Sequence, residues 1–203
     1  MNKIKLTLLW CLLISTFVSC SKNEKDDPTP QAALDYLPTT AGSTWNYGGP
    51  QPYSVTALST TKEINGKTFR EMETKQGTTI TKAYFSKQGG EYTAISFVPG
   101  AGTTEITMFK ENVAVGTSWE HNFVQDGVNT TYKPKLVAIG LTKTVSGKEY
   151  KEVAQIEMES TFEMFGFEVP GPTANYFLAK GVGVIFSEID GYGEYPLLNY
   201  TIK

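Results

Sequence analysis

Ser146-Gly147-Lys148-Glu149-Tyr150-Lys151-Glu152-Val153-Ala154-Gln155-Ile156-Glu157-Met158 decides the fold of this chain. Its first two residues are turn chemistry, because glycine accepts the positive φ that a two-residue hairpin turn requires. The run that follows places apolar side chains at 150, 154, 156 and 158, with Val153 interrupting the alternation. Period-two patterning of this kind marks a half-buried strand. Upstream, Lys135-Leu136-Val137-Ala138-Ile139 supplies the other arm of the hairpin, alternating less cleanly.

The same arrangement occurs earlier in the chain. Ile64-Asn65-Gly66-Lys67-Thr68-Phe69 matches Val145-Ser146-Gly147-Lys148-Glu149-Tyr150, at an offset of 81. The arms around this first turn are Tyr53-Ser54-Val55-Thr56-Ala57-Leu58 and Thr68-Phe69-Arg70-Glu71-Met72. Gly42-Ser43-Thr44-Trp45 matches Gly116-Thr117-Ser118-Trp119 at an offset of 74, and Ala83-Tyr84-Phe85 matches Asn175-Tyr176-Phe177 at 92. Three matches in order, separated by growing insertions, indicate an internal repeat, about 34–97 and 108–203. Trp45 and Trp119 are equivalent in it, which points to core positions with a polar partner for each indole N–H.

Further strands are expected at 79–86, 91–97, 103–109, 117–124, 129–134, 173–179, 182–189 and 195–202, where Thr, Val, Ile, Tyr and Phe dominate. Gly and Pro fall mainly between these runs. Only residues 31–37 hint at a helix, stopped by Pro38. The expected fold is all-β with little helix: an antiparallel curved sheet or half-open barrel built from two related meander halves. Residues 34–203 form a single β domain in this reading.

The rest of the chain is an address. Lys3 and Lys5 form a basic start, and the apolar stretch Leu6 to Val18 is shorter than the roughly 20 residues of a membrane-spanning helix. It ends in Phe17-Val18-Ser19-Cys20, which resembles a bacterial lipobox. The resemblance implies a signal peptide over 1–19, cleavage before Cys20, and acylation of Cys20, palmitate among the chains. Phe17 stands where Leu is more usual. Two or more acyl chains anchor stably where one does not. Residues 20–33 carry charges and prolines and no large apolar side chain, so they read as a flexible tether. Ser21, rather than Asp, resembles lipoproteins sorted to the outer membrane. Lys25-Asp26-Asp27 resembles a short export tag for display on the cell surface, and the plainer reading of the same residues is a solvated linker.

Gly-x-x-Trp, then Gly-Lys-x-aromatic, then Tyr176-Phe177-Leu178-Ala179-Lys180-Gly181-Val182-Gly183 together resemble a large group of bacterial β-rich outer-membrane lipoproteins. The resemblance covers about 36–203. It implies an architecture similar to the half-barrels of lipoprotein carriers or to lipocalin-like cups, families that bind apolar ligands. No ligand motif carries over, so ligand-binding residues stay unassigned.

Composition and motifs narrow the chemistry. Apolar residues make up 40% and charged residues 19%, enough to bury a core. The net charge of −3 argues against nucleic acid as a partner. With signal cleavage the only remaining cysteine is Cys20, which leaves no disulfide and no thiolate ligand or nucleophile. His121 is the single histidine, no Gly-x-Ser-x-Gly elbow accompanies it, and a surface position is expected. Glu157, Glu159 and Glu163, and Glu188, Asp190 and Glu194, are the carboxylate groupings to weigh for glycoside chemistry, and each reads as a solvated strand face or turn. The turn 190–194 lacks the oxygen ligands of an EF-hand loop. The apolar loop Phe165 to Pro172 reads as a hairpin tip folded onto the sheet, with a lid or an interaction edge as the other readings.

The expected function is therefore that of a lipid-anchored outer-membrane or cell-surface lipoprotein, non-catalytic, without cofactor or metal. It is a binding module for a small apolar or glycan ligand. The alternative is a structural or protein-interaction lipoprotein accessory to an outer-membrane complex.

Overall fold

The computed structural model describes residues 34–98, 102–125 and 127–203. The expected signal peptide over 1–19, the expected tether over 20–33 and with it Cys20 lie outside the described residues. The described chain is all-β and belongs to one compact unit. In chain order the strands are β1 (Thr44–Tyr47), β2 (Tyr53–Ile64), β3 (Lys67–Gln76), β4 (Thr79–Gln88), β5 (Glu91–Val98), β6 (Gly102–Lys110) and β7 (His121–Gln125). There follow β8 (Val128–Val145), β9 (Lys148–Met164), β10 (Phe167–Pro170), β11 (Ala174–Ala179), β12 (Gly183–Ile189) and β13 (Gly193–Thr201). Residues 34–37, the described part of the expected helical stretch, are not helical.

All strand pairings are antiparallel, in the order β6-β5-β4-β3-β2-β1-β13-β12-β11-β9-β8-β7, with β10 added beside β9. Two meanders meet where β1 pairs β13, Trp45 opposite Tyr200. The sheet curls into a nearly closed barrel. No described strand pairing joins the two end strands, β6 and β7, so the barrel is not closed by a ladder.

Local chemistry explains the hairpins. Asn65-Gly66 joins β2 to β3 with φ of 51° and 74°, and Ser146-Gly147 joins β8 to β9 with 50° and 79°. Positive φ at both central residues gives the turn whose twist matches that of the strands. The interruption at Val153 is a bulge: Glu152 takes φ 52°, and the partners of β8 step from Val153 to Tyr150 between Leu141 and Lys143. One extra residue shifts the alternation, so Val153 and Ala154 are both fully buried.

The Gly-x-x-Trp segments make the same three backbone hydrogen bonds. Gly42 N donates to Ala57 O, Ala57 N to Ser43 O, and Ser43 N to Thr40 O. Gly116 N donates to Leu136 O, Leu136 N to Thr117 O, and Thr117 N to Ala114 O. Gly42 and Gly116 have φ of 84° and 91°, a conformation a side chain would strain.

The core has two clusters. One gathers Trp45, Tyr47, Met72, Tyr150, Ile185 and Leu197; the other gathers Tyr36, Tyr92, Phe109, Leu136, Ile156 and Leu178. Tyr36 precedes β1 yet is 2% exposed, its ring edge-on to Phe109 at 4.8 Å. Its backbone N–H donates to the Tyr92 hydroxyl at 3.1 Å. Lys87 holds the same segment by bridging Asp35 and Glu111 at 2.5 and 3.2 Å. Burial lowers the pKa of Lys87, but its hydrogen bonds to Asp35, Tyr92 and Glu111 outweigh this and hold the pKa above the ordinary lysine value. The residues that follow the tether are thus built into the barrel.

Candidate functional site

A cavity of about 160 Å³ lies inside the barrel. Leu37 and Pro38 wall it from the N-terminal segment, Val55 and Met72 from β2 and β3, and Leu178 and Val184 from β11 and β12. Its lining is almost wholly apolar. Two of the polar groups that line it have partners within the chain. Trp45 Nε1 donates to Val182 O at 2.6 Å, and the Tyr47 hydroxyl donates to Val184 O at 2.9 Å. Arg70 donates through Nε to Thr39 O at 3.1 Å and through Nη1 to Ser59 O at 2.7 Å, which ties the N-terminal wall to the irregular middle of β2. A cavity of this size and lining offers chiefly dispersion contacts. Dry apolar cavities of roughly 150 Å³ bind benzene-sized guests.

Tyr53 and Tyr176 line both this cavity and a shallower pocket beside it, bordered by Gln76, Ser187, Ile189 and Tyr195. They stand between the interior and the rim. Burial, then the nearby Tyr176, pushes the Tyr53 phenol well above its ordinary pKa, while the neighbouring Ser187 works the other way. Burial, then Tyr132, raises Tyr176. Both phenols are therefore neutral at physiological pH.

The Ala-Lys-Gly-Val-Gly segment and the first Gly-x-x-Trp meet here. Val182 O receives the Trp45 indole, Gly183 lines the cavity, and Gly181 N donates to Asp35 O at 2.8 Å. Leu34 packs so closely on Gly181 that a Cβ there would clash with its side chain. Trp119 also finds a partner, donating to Thr107 O at 2.7 Å, and is half-buried.

His121 differs from the surface position expected of it. It is half-buried, and its Nε2 accepts a hydrogen bond from Thr107 N at 3.1 Å. The strand pairing of β7 carries the side chain to β6, which neighbours in sequence could not indicate. Burial lowers its pKa. With Nε2 engaged by a backbone donor, the imidazole is not poised as a general base.

The carboxylates lie on solvated strand faces and turns, away from the cavity. Glu157 faces Lys135 at 3.7 Å, Glu163 accepts from Asn129 at 2.8 Å, and Glu159 is exposed while Met158 between them is buried. Glu188 and Glu194 are cross-strand partners on β12 and β13, both exposed, and Asp190 lies in the turn joining those strands. Among the described residues no group of three or more His, Cys, Asp or Glu can hold a metal ion. Tyr53, Met72 and Tyr176 are among the site residues that sequence reading did not assign. Alternation marked their strands, but nothing local told which side chains reach the cavity.

The loop at 165–172 is not folded onto the sheet. Phe165 and Gly166 turn between β9 and β10 with φ of 54° and 79°, and Phe165 and Phe167 are 95% and 74% exposed. No family model, curated protein or solved structure matches this chain.

Proposed function

We propose that this chain is a lipid-tethered, non-catalytic binding module that holds an apolar ligand inside its barrel. The observation that carries the reading is the cavity walled by Leu37, Val55, Met72, Leu178 and Val184. An empty dry cavity forfeits dispersion contacts on every lining atom, so a guest that fills it adds contacts at little desolvation cost. The apolar lining favours a ring or a branched hydrocarbon tail over a glycan, which would leave its hydroxyls unpaired. A non-catalytic role is supported by the absence of any carboxylate from the cavity lining and by His121, whose Nε2 is taken up by Thr107. The address belongs to the same proposal: acylation at Cys20, a tether over 20–33, and the outer membrane as location, with Lys25-Asp26-Asp27 as the element for display on the cell surface.

We also read the two meanders as copies of one ancestral unit. The support is the shared hydrogen-bond pattern at Gly42 and Gly116 and the shared turn geometry at Asn65-Gly66 and Ser146-Gly147. A second functional reading, an interaction lipoprotein, draws on the exposed aromatic tip at Phe165 and Phe167.

The test is native mass spectrometry of the full chain purified from its membranes, followed by denaturing solvent extraction. The expected result is an apolar adduct lost on extraction, separate from the covalent mass at Cys20. A clean unliganded mass, together with failure of small hydrocarbon probes to raise the thermal midpoint, would overturn the ligand reading.

A further inference from the structure

The hairpin of β9 and β10 is built against the ordinary rules for a surface turn. In the other described two-residue turns with positive φ at both central positions, the first position holds Asn65, Gly89 or Ser146, each small or polar. Here it holds Phe165, with φ 54° and 95% exposure. A bulky side chain in left-handed backbone costs energy, and an exposed phenyl ring contributes nothing to the fold in return. Strain combined with exposure points to a role outside the barrel.

The apolar character does not stop at the tip. Residues alternate across a strand, so Ile156, Met158, Ser160, Phe162 and Met164 share one face of β9. Phe167 pairs with Met164 and Val169 with Phe162, placing them on that face of β10. Thr130 of β8 and Phe123 of β7 extend it, and Phe123 meets Tyr132 edge-on at 5.0 Å. The face begins at Ile156, which lines the cavity, and ends at Phe167, which is in water. The opposite face is polar: Asn129 donates to Glu163, and Thr131 donates to Asn122. Between Lys151 and Lys180 the chain has no Lys or Arg, while Glu163 and Glu168 flank the tip.

We infer that the β9–β10 tip is a membrane-docking element, inserting Phe165 and Phe167 into a lipid bilayer. The occupant follows from the chain before Leu34. Cys20 lies 14 residues earlier, which reaches roughly 50 Å when extended. Leu34 packs beside Gly181, near the Val153 end of β9, and the tip is 12 residues beyond Val153, about 40 Å along the strand. A tether of that reach lets the tip and the anchor enter the same bilayer, with the barrel lying over it. The acidic flanks and the lack of cations make the insertion apolar rather than electrostatic, so neutral lipid suffices and salt does not release the tip. The inference rests on the proposed lipid tether.

The experiment uses the full acylated chain, wild type and Phe165→Trp, reconstituted in phosphatidylcholine vesicles with or without lipids brominated in mid-chain. The expected result is that the added tryptophan, read by difference, shifts to the blue on vesicles. It is quenched by bromolipid and loses most of its quenching by acrylamide, at low and at high salt. Phe165→Asn/Phe167→Trp supplies a second reporter in which the turn strain is relieved. Its tryptophan should show weaker bromolipid quenching, because one anchor is gone. The inference is overturned if acrylamide quenches the Phe165→Trp reporter equally with and without vesicles. It is also overturned if the reporter is shielded without lipid in proportion to protein concentration, which identifies a second copy as the occupant. Bromolipid quenching does not depend on cavity occupancy, and intact mass reports acylation at Cys20, so failure of docking is distinguishable from failure of the ligand or anchor reading.

Discussion

The backbone N–H of Thr107 donates to Nε2 of His121 at 3.1 Å, joining β6 to β7, the two ends of the strand order. The carbonyl of Thr107 accepts from Trp119 Nε1 at 2.7 Å. Two side chains thus satisfy both backbone groups of one edge residue where a ladder would otherwise have to run. The barrel is latched here.

The latch needs a neutral imidazole, because Nε2 must accept. Burial lowers the His121 pKa, Lys110 adds to the lowering, and Glu105 and Glu91 oppose it. A histidine whose folded pKa lies below its unfolded value near 6.5 supplies stability at higher pH. That stability is lost as pH falls from about 6.5 toward the folded pKa and levels off below it. Denaturant titrations from pH 7.5 to 5 should show this decline in wild type. His121→Gln, which keeps an acceptor and does not titrate, should show a smaller decline. Equal slopes in the two proteins would refute the assignment.

Trp119→Phe should destabilise the chain by about 1–2 kcal/mol, because the Thr107 carbonyl loses its partner at a largely buried position. Amide exchange should quicken in β6 ahead of the remaining sheet. Trp45→Phe removes the bond to Val182 O and should instead loosen the turn between β11 and β12. If both variants accelerate exchange uniformly, the two indoles act only by bulk.

Phe165→Asn should raise stability by about 1 kcal/mol, since Asn tolerates the left-handed backbone that Phe165 occupies at φ 54°. The thermal midpoint of the purified chain checks this. A fall would mean that the exposed ring makes contacts that stabilise the fold.

Leu178→Ala should cost about 2–5 kcal/mol, because it deletes a buried side chain and enlarges the cavity. Val55→Phe fills the cavity from β2, so it should abolish the apolar adduct while leaving the midpoint of extracted protein unchanged or higher. An adduct that persists in Val55→Phe would place the ligand elsewhere.

Cys20→Ser should move the chain from the membrane to the soluble fraction without changing its thermal midpoint. Among the described residues the core begins at Tyr36, sixteen residues after Cys20. Retention after a high-salt wash of a variant that combines Cys20→Ser with Phe165→Asn and Phe167→Asn, or a wild-type intact mass without acyl chains, would refute acylation as the anchor.

The alternation of 150–158, the turns at Asn65-Gly66 and Ser146-Gly147, and the runs between them were sufficient to read an all-β chain of two meanders, because strand period and turn φ are local properties. The same locality explains what was misread. The bulge at Glu152 appeared only as a broken pattern at Val153, and the tip at Phe165 read as folded because apolar residues are ordinarily covered. Tertiary structure alone decided that β1 pairs β13, that His121 reaches Thr107, and that Leu37, Val55, Met72 and Val184 line one partly open cavity. A two-residue period tells which side chains share a face and leaves open which distant strand that face will meet. The cavity is less legible still, since its volume is the space left after every side chain has packed, and no single segment carries that difference.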